Sequence, residues 1–216
     1  MADYRLHCFA QSGTAYKAAL MLELCGAGWE PVQVDFFNGE TRTPEYRAIN
    51  SMGEVPVLEH GELRLTQSGV ILDYLAGVFG RFGPEGENER REILRWTLWD
   101  NHKLTSYLAT GRFMQAFLPA EKRKADVVEF LLGRAKAALG VLDGHLDGRD
   151  WIAAPRPTIA DLSCIGYLFF ADEAGIDMGS YPNVTRWREA VSALPGWRHP
   201  YDLMPGADQP AIRGSA

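Results

Sequence analysis

Residues 4–35 read YRLHCFAQSGTAYKAALMLELCGAGWEPVQVD. Residues 4–9 have the character of a strand, and 10–14 form a polar loop containing Gly13. Residues 15–25 carry apolar side chains at helical spacing and stop at Gly26, a natural C-terminal glycine. Residues 31–35 make a second strand. Strand, crossover helix and strand require a parallel pair, because a tight turn cannot join parallel strands.

Downstream, residues 44–49 suit a short helix. Residues 55–59 and 62–65 flank His60-Gly61, which is hairpin punctuation. Residues 70–78 then place Val70, Ile71, Tyr74, Leu75 and Val78 on one helical stripe. The order β-α-β-α-β-β-α predicts a mixed sheet with helices on its faces. Residues 77–88 (GVFGRFGPEGEN) hold four glycines and Pro84, the composition of a linker. Beyond it only helical patterns remain, over 89–112, 120–146, 158–172 and 182–194. The expected division is an α/β domain over 1–78, a linker over 79–88, an all-α domain over 89–205 and a polar tail over 206–216.

Composition narrows the function. Lys and Arg number 22 against 28 Asp and Glu, a formal charge of −6, which gives no global attraction to nucleic acid or an anionic membrane. Three cysteines form no CxxC pair, so neither a disulfide scaffold nor a cysteine zinc site is expected, and no metal. The first residues lack a long apolar run, and the longest apolar stretch, near 164–171, is too short to cross a bilayer. The expectation is a soluble cytoplasmic protein.

Several short stretches carry chemistry. Ser12-Gly-Thr14 lies between the first strand and the first helix, where a hydroxyl either caps the helix or donates to a thiolate. Pro56 at a strand start is either an edge proline or a cis proline that turns the Val55 backbone outward. Gln67-Ser68 opens a helix, where capping by Thr66 or Ser68 and attraction of a carboxylate use the same orphan amides. Thr158-Ile-Ala-Asp161 reads as a capping box, which assigns Asp161 to folding rather than to acid catalysis. No serine sits in GxSxG, so a Ser-His-Asp hydrolase is not indicated.

Taken in order, Ser12-Gly-Thr-Ala-Tyr-Lys, Asn50-Ser-Met-Gly-Glu-Val-Pro-Val-Leu, Leu65-Thr-Gln-Ser-Gly-Val-Ile-Leu-Asp-Tyr-Leu, Thr158-Ile-Ala-Asp and Tyr181-Pro-Asn-Val-Thr-Arg-Trp resemble the cytosolic glutathione S-transferase superfamily. The resemblance implies an α+β/α two-domain fold, a thioredoxin-like N-terminal domain followed by a helical bundle, assembled as a homodimer. It implies glutathione as co-substrate and a hydrophobic electrophilic small molecule as its partner. Val55 and Pro56 would present backbone to the tripeptide's cysteine, and Gln67 and Ser68 would hold its γ-glutamyl carboxylate. Ser12 would stabilise the thiolate, with Thr14 as its rival, standing where the bacterial beta class carries a cysteine. Cys8 reads as a small buried strand residue.

Asp100-Asn-His-Lys resembles the beta class as well, and implies His102 and Lys103 near glutathione. Trp99, His102 and Ser106, three and seven apart, fall on one face of an unbroken helix. The alternative for His102 and Lys103 is plain solvent exposure. Glu54 and Thr41 depart from the residues common at those places, so the glycine end of glutathione falls to Arg42 or Lys103. Gln11, Ser106, Tyr107 and Phe113 are the expected electrophile pocket. The implied activity is glutathione transfer. Glutathione-dependent disulfide reduction, isomerisation or ether cleavage is one alternative, and a non-catalytic binding protein another.

Overall fold

The structure is a computed structural model that describes residues 3–208. Its first unit opens with strand β1 (Tyr4–Cys8), helix α1 (Gly13–Leu24) and strand β2 (Trp29–Gln33), and β2 runs parallel to β1. Helix α2 (Pro44–Ile49) follows, then the antiparallel hairpin β3 (Val57–His60) and β4 (Leu63–Thr66), and helix α3 (Ser68–Phe79). The sheet order is β2-β1-β3-β4, with β1 antiparallel to β3. This is the mixed sheet and the thioredoxin-like order expected from the sequence.

The core of this unit forms where the strand and helix periods agree. Leu6 and Leu58, cross-strand partners on β1 and β3, are buried, as are Ile71, Leu72 and Leu75 of α3. Each such side chain contributes about 1.5–3 kcal/mol by leaving water. Helix α1 is apolar nearly all round and buried along its length, the pattern of a central rather than a surface helix.

One part of the first unit comes from far along the chain. Residues up to Gly83 group with Leu194–Ala207, and the second unit is Pro84–Ala193. The expected helical domain extends to 205, whereas the segment at 194–207 groups with the first unit. It places a short helix, α9 (Pro200–Leu203, the last in chain order among the described residues), against α1. Gly196, at φ 92°, allows its close passage, since a Cβ there would stand 3.0 Å from the Glu23 carbonyl oxygen. The expected polar tail lies outside the described residues from 209 onward.

The second unit is helical. Helix α4 (Glu87–Trp99) continues through a widened, π-type turn at Asp100–Thr105 into α5 (Ser106–Arg112), and a second such turn covers Phe113–Phe117. Helix α6 (Ala125–His145) packs on α5, and Gly111 makes the approach feasible, because a Cβ there would meet Leu132 Cδ2 at 2.7 Å. Helices α7 (Ile159–Cys164) and α8 (Pro182–Ser192) complete the unit. Its centre holds Trp187 and Asp161, both fully buried. The Thr158–Asp161 capping box is formed as its spacing predicts. Among the described residues no helix is long and apolar enough to cross a membrane. Among those residues no group of three or more His, Cys, Asp or Glu could hold a metal ion.

Candidate functional site

The polar loop after β1 places two hydroxyls side by side. Ser12 is the N-cap of α1, in extended conformation, and its Oγ accepts the Ala15 backbone N–H at 3.2 Å. Two residues on, Thr14 Oγ1 lies 3.0 Å from Ser12 Oγ. Ser12 is buried and Thr14 half-buried. The start of a helix concentrates positive potential, so a thiol brought here is favoured as thiolate, below its reference pKa of about 8.5.

Across from α1 stands the segment before β3. The Val55–Pro56 peptide bond is cis. Thr14 Oγ1 donates to the Val55 carbonyl at 3.1 Å, so the loop that carries Ser12 is tied to the backbone preceding Pro56. Asn50 and Tyr46 hold the neighbouring Glu54 carbonyl, from Nδ2 at 2.8 Å and from the phenol at 3.0 Å. Val55 therefore sits in a backbone stretch fixed on both sides.

At the third corner α3 begins without a side-chain cap, so neither Thr66 nor Ser68 performs the capping allowed from sequence. Its N-cap position is Gln67, at φ 68°, a left-handed conformation costly for a residue with a Cβ. Ser68 is buried at the helix start, and Gln67 is exposed with Nε2 donating to Glu54 Oε2 at 3.1 Å. Strained backbone ahead of uncapped helical amides leaves donors that suit a carboxylate. Glu54 thus supports the Gln67 amide rather than an anion.

Other expected residues have different surroundings. Gln11 is buried and its Nε2 donates to the Gly206 carbonyl at 2.7 Å, making it a tether for the segment at 194–207. Cys8 is fully buried and burial pushes its thiol up to about 12, so it supplies no thiolate near neutral pH.

In the second unit, His102 and Ser106 are exposed, while Lys103, Tyr107 and Phe113 are half-buried. Trp99, His102 and Ser106 share one face only along an unbroken α-helix, and the π-type turn shifts that register. The turn is fixed by bonds of matching span. Thr105 Oγ1 donates to the buried Asp100 carboxylate at 2.8 Å, five residues back, and the Ser106 hydroxyl donates to the Asn101 carbonyl over the same interval. Ser163 of α7 donates to the other Asp100 oxygen at 2.6 Å. Arg134 lies over the Tyr107 ring at 5.3 Å, and Phe113 stacks with Phe117.

A glutathione S-transferase from Pseudomonas fluorescens Pf-5 is 32% identical over 91% of this chain and 98% of its own, with a TM-score of 0.84. A glutathione transferase family member from the same organism, solved with two glutathione molecules bound, is 27% identical over 89% of each chain, with a TM-score of 0.77. A maleylacetoacetate isomerase from Rhizobium meliloti is 28% identical over 82% of this chain and 85% of its own. Residues 4–77 match the glutathione S-transferase N-terminal domain and residues 107–195 the C-terminal domain. With both domains matched in order on the fold described above, the chain belongs to the glutathione S-transferase family.

Proposed function

We propose that the chain binds glutathione in its first unit and activates the thiolate for attack on an electrophilic small molecule. The observation that carries this reading is the hydroxyl pair at the start of α1, tied through Thr14 to the Val55 carbonyl. In this reading Ser12 donates to the sulfur, aided by the positive end of α1. Val55, ahead of Pro56, offers its carbonyl to the cysteinyl N–H. Gln67 and Ser68 receive the γ-glutamyl carboxylate at the uncapped start of α3. Arg42, in the same unit, takes the glycine carboxylate. The thiolate forms a C–S bond while the leaving group departs with its bonding pair.

Isomerisation is the second reading, favoured by the 28% identical maleylacetoacetate isomerase. There the thiolate adds, a bond rotates and glutathione is expelled unchanged. We also propose a cytosolic homodimer, supported by Leu94 and Leu98, which leave large apolar side chains exposed on α4.

The test is glutathione binding by calorimetry, followed by conjugation assays on wild type and Ser12→Ala. Binding with turnover that falls by roughly tenfold or more in Ser12→Ala is expected. Binding with cis–trans conversion of an unsaturated diacid and no glutathione consumed would select the isomerase. Failure of the wild type to bind would leave a non-catalytic protein.

A further inference from the structure

Two hydroxyls carry two protons, and the geometry says where both reside. The Val55 carbonyl can only accept, so the 3.1 Å contact commits the Thr14 proton to it. The 3.0 Å contact between the hydroxyls is then Ser12 donating to Thr14 Oγ1. Ser12 Oγ in turn accepts the Ala15 N–H at 3.2 Å. A directed chain results, from the Ala15 N–H through Ser12 and Thr14 to the Val55 carbonyl. In this resting arrangement the Ser12 proton points at Thr14 and not outward.

We infer that Thr14 is a positioning residue that couples occupancy of the Val55 carbonyl to the donor strength of Ser12. The inference rests on the proposed glutathione reading. A peptide N–H that arrives on the lone pair of the Val55 carbonyl used by Thr14 displaces the threonine, and one that arrives on the other lone pair weakens its hold by sharing the acceptor. The Thr14 hydroxyl then turns about its Cβ–Oγ1 bond and donates to Ser12 Oγ, which retains a free lone pair beside the Ala15 bond. The Ser12 proton, no longer held by Thr14, turns to the sulfur. Each bond in the reversed chain polarises the next, so the bond to the thiolate strengthens when the peptide backbone is in place. No proton changes owner and no covalent bond breaks; two hydroxyls rotate. A thiol without a backbone N–H at that carbonyl would meet Ser12 in its inward state.

The test compares wild type, Thr14→Val, Thr14→Ser and Ser12→Ala. It reads the pKa of bound glutathione from thiolate absorbance, and kcat and KM for glutathione with a chromogenic electrophile. A glutathione analogue methylated on the cysteinyl nitrogen is measured alongside. Thr14→Val is expected to raise the bound thiol pKa and lower kcat roughly three- to tenfold, the worth of one hydrogen bond, with KM for glutathione unchanged. Thr14→Ser should restore wild-type values. With the methylated analogue, Thr14→Val should show a bound thiol pKa no higher than wild type, because no Thr14 oxygen is left to hold the Ser12 proton inward.

A wild-type thiol pKa in Thr14→Val, alongside a raised one in Ser12→Ala, would overturn the coupling and leave the glutathione reading intact. So would an effect confined to KM, or an undiminished Thr14→Val effect with the analogue. An unchanged pKa in Ser12→Ala, or no glutathione bound by wild type, would instead sink the underlying reading. Should Thr14→Val fail to fold, the analogue on wild type decides: its bound thiol pKa must exceed that of glutathione, and equality overturns the coupling.

Discussion

The Gln11 side chain and the Gly206 carbonyl, 195 positions apart in sequence, are joined by a 2.7 Å hydrogen bond inside the first unit. The adjacent Ala10 N–H donates to the Pro205 carbonyl at 2.8 Å, and the Tyr16 hydroxyl to the Arg198 carbonyl at 2.8 Å. The loop that carries Ser12 is thus clamped by the segment at 194–207. Gln11→Leu should cost about 1 kcal/mol by removing the hydrogen bond to the half-buried Gly206 carbonyl. Amide exchange by mass spectrometry should show faster exchange in peptides covering 8–12 and 196–207 together. Acceleration of only one of them would dissociate the clamp from the loop.

His7, on β1, gives a pH dependence with a definite sign. It is buried, and burial holds its pKa below the ordinary value near 6.5. Glu59, 3.5 Å from Nε2, opposes that shift, while Arg5 and Arg64 add to it. The native state therefore binds fewer protons at this position than the unfolded chain just below that value. Stability should fall as pH drops through about 6.5, by at most about 1.4 kcal/mol per unit from this group. Urea midpoints between about pH 7.5 and 5.5, for wild type and His7→Gln, check this. The substitution should flatten the decline, and an unchanged slope would assign it to other groups.

Asp161 accepts four hydrogen bonds, two on each oxygen. Oδ1 takes the Ile152 N–H at 3.0 Å and Trp187 Nε1 at 2.9 Å. Oδ2 takes the Thr158 N–H at 2.8 Å and its hydroxyl at 3.1 Å. Asp161→Ala leaves buried donors without partners and should cost about 3 kcal/mol or more, roughly 6–12 °C in Tm. Asp161→Asn keeps one accepting oxygen and should fall between. Specific activity of the folded fraction should persist in both, which separates a folding role from a catalytic one.

What was legible in the sequence followed local rules. The parallel β1–β2 pair came from a strand–helix–strand order, and the capping box from a three-residue spacing. Both depend on neighbours in the chain. The clamp at 194–207 was not legible, because a short segment rich in proline and glycine has no period and its partners lie nearly the whole chain away. The π-type turn at Asp100 was hidden for another reason. Apolar spacing over one turn scarcely distinguishes it from an α-helix, and the deciding bonds are hydroxyls at Thr105 and Ser106 reaching back five residues. At the site, residue types suggested Ser12, Thr14 and Val55 separately. That Thr14 bridges the other two required the register of α1 against the segment before β3.

Because its first unit draws on both residues up to Gly83 and Leu194–Ala207, the α/β half cannot be finished in the order in which it is made. At typical translation rates, the 193 − 83 = 110 residues between its two parts take on the order of ten seconds to appear. Throughout that interval α1 waits on the ribosome without α9 against it, its apolar surface open to chaperones or to neighbouring chains. A later-made stretch therefore closes an earlier-made one, and a nascent chain stalled before it would be expected to be sticky and inactive.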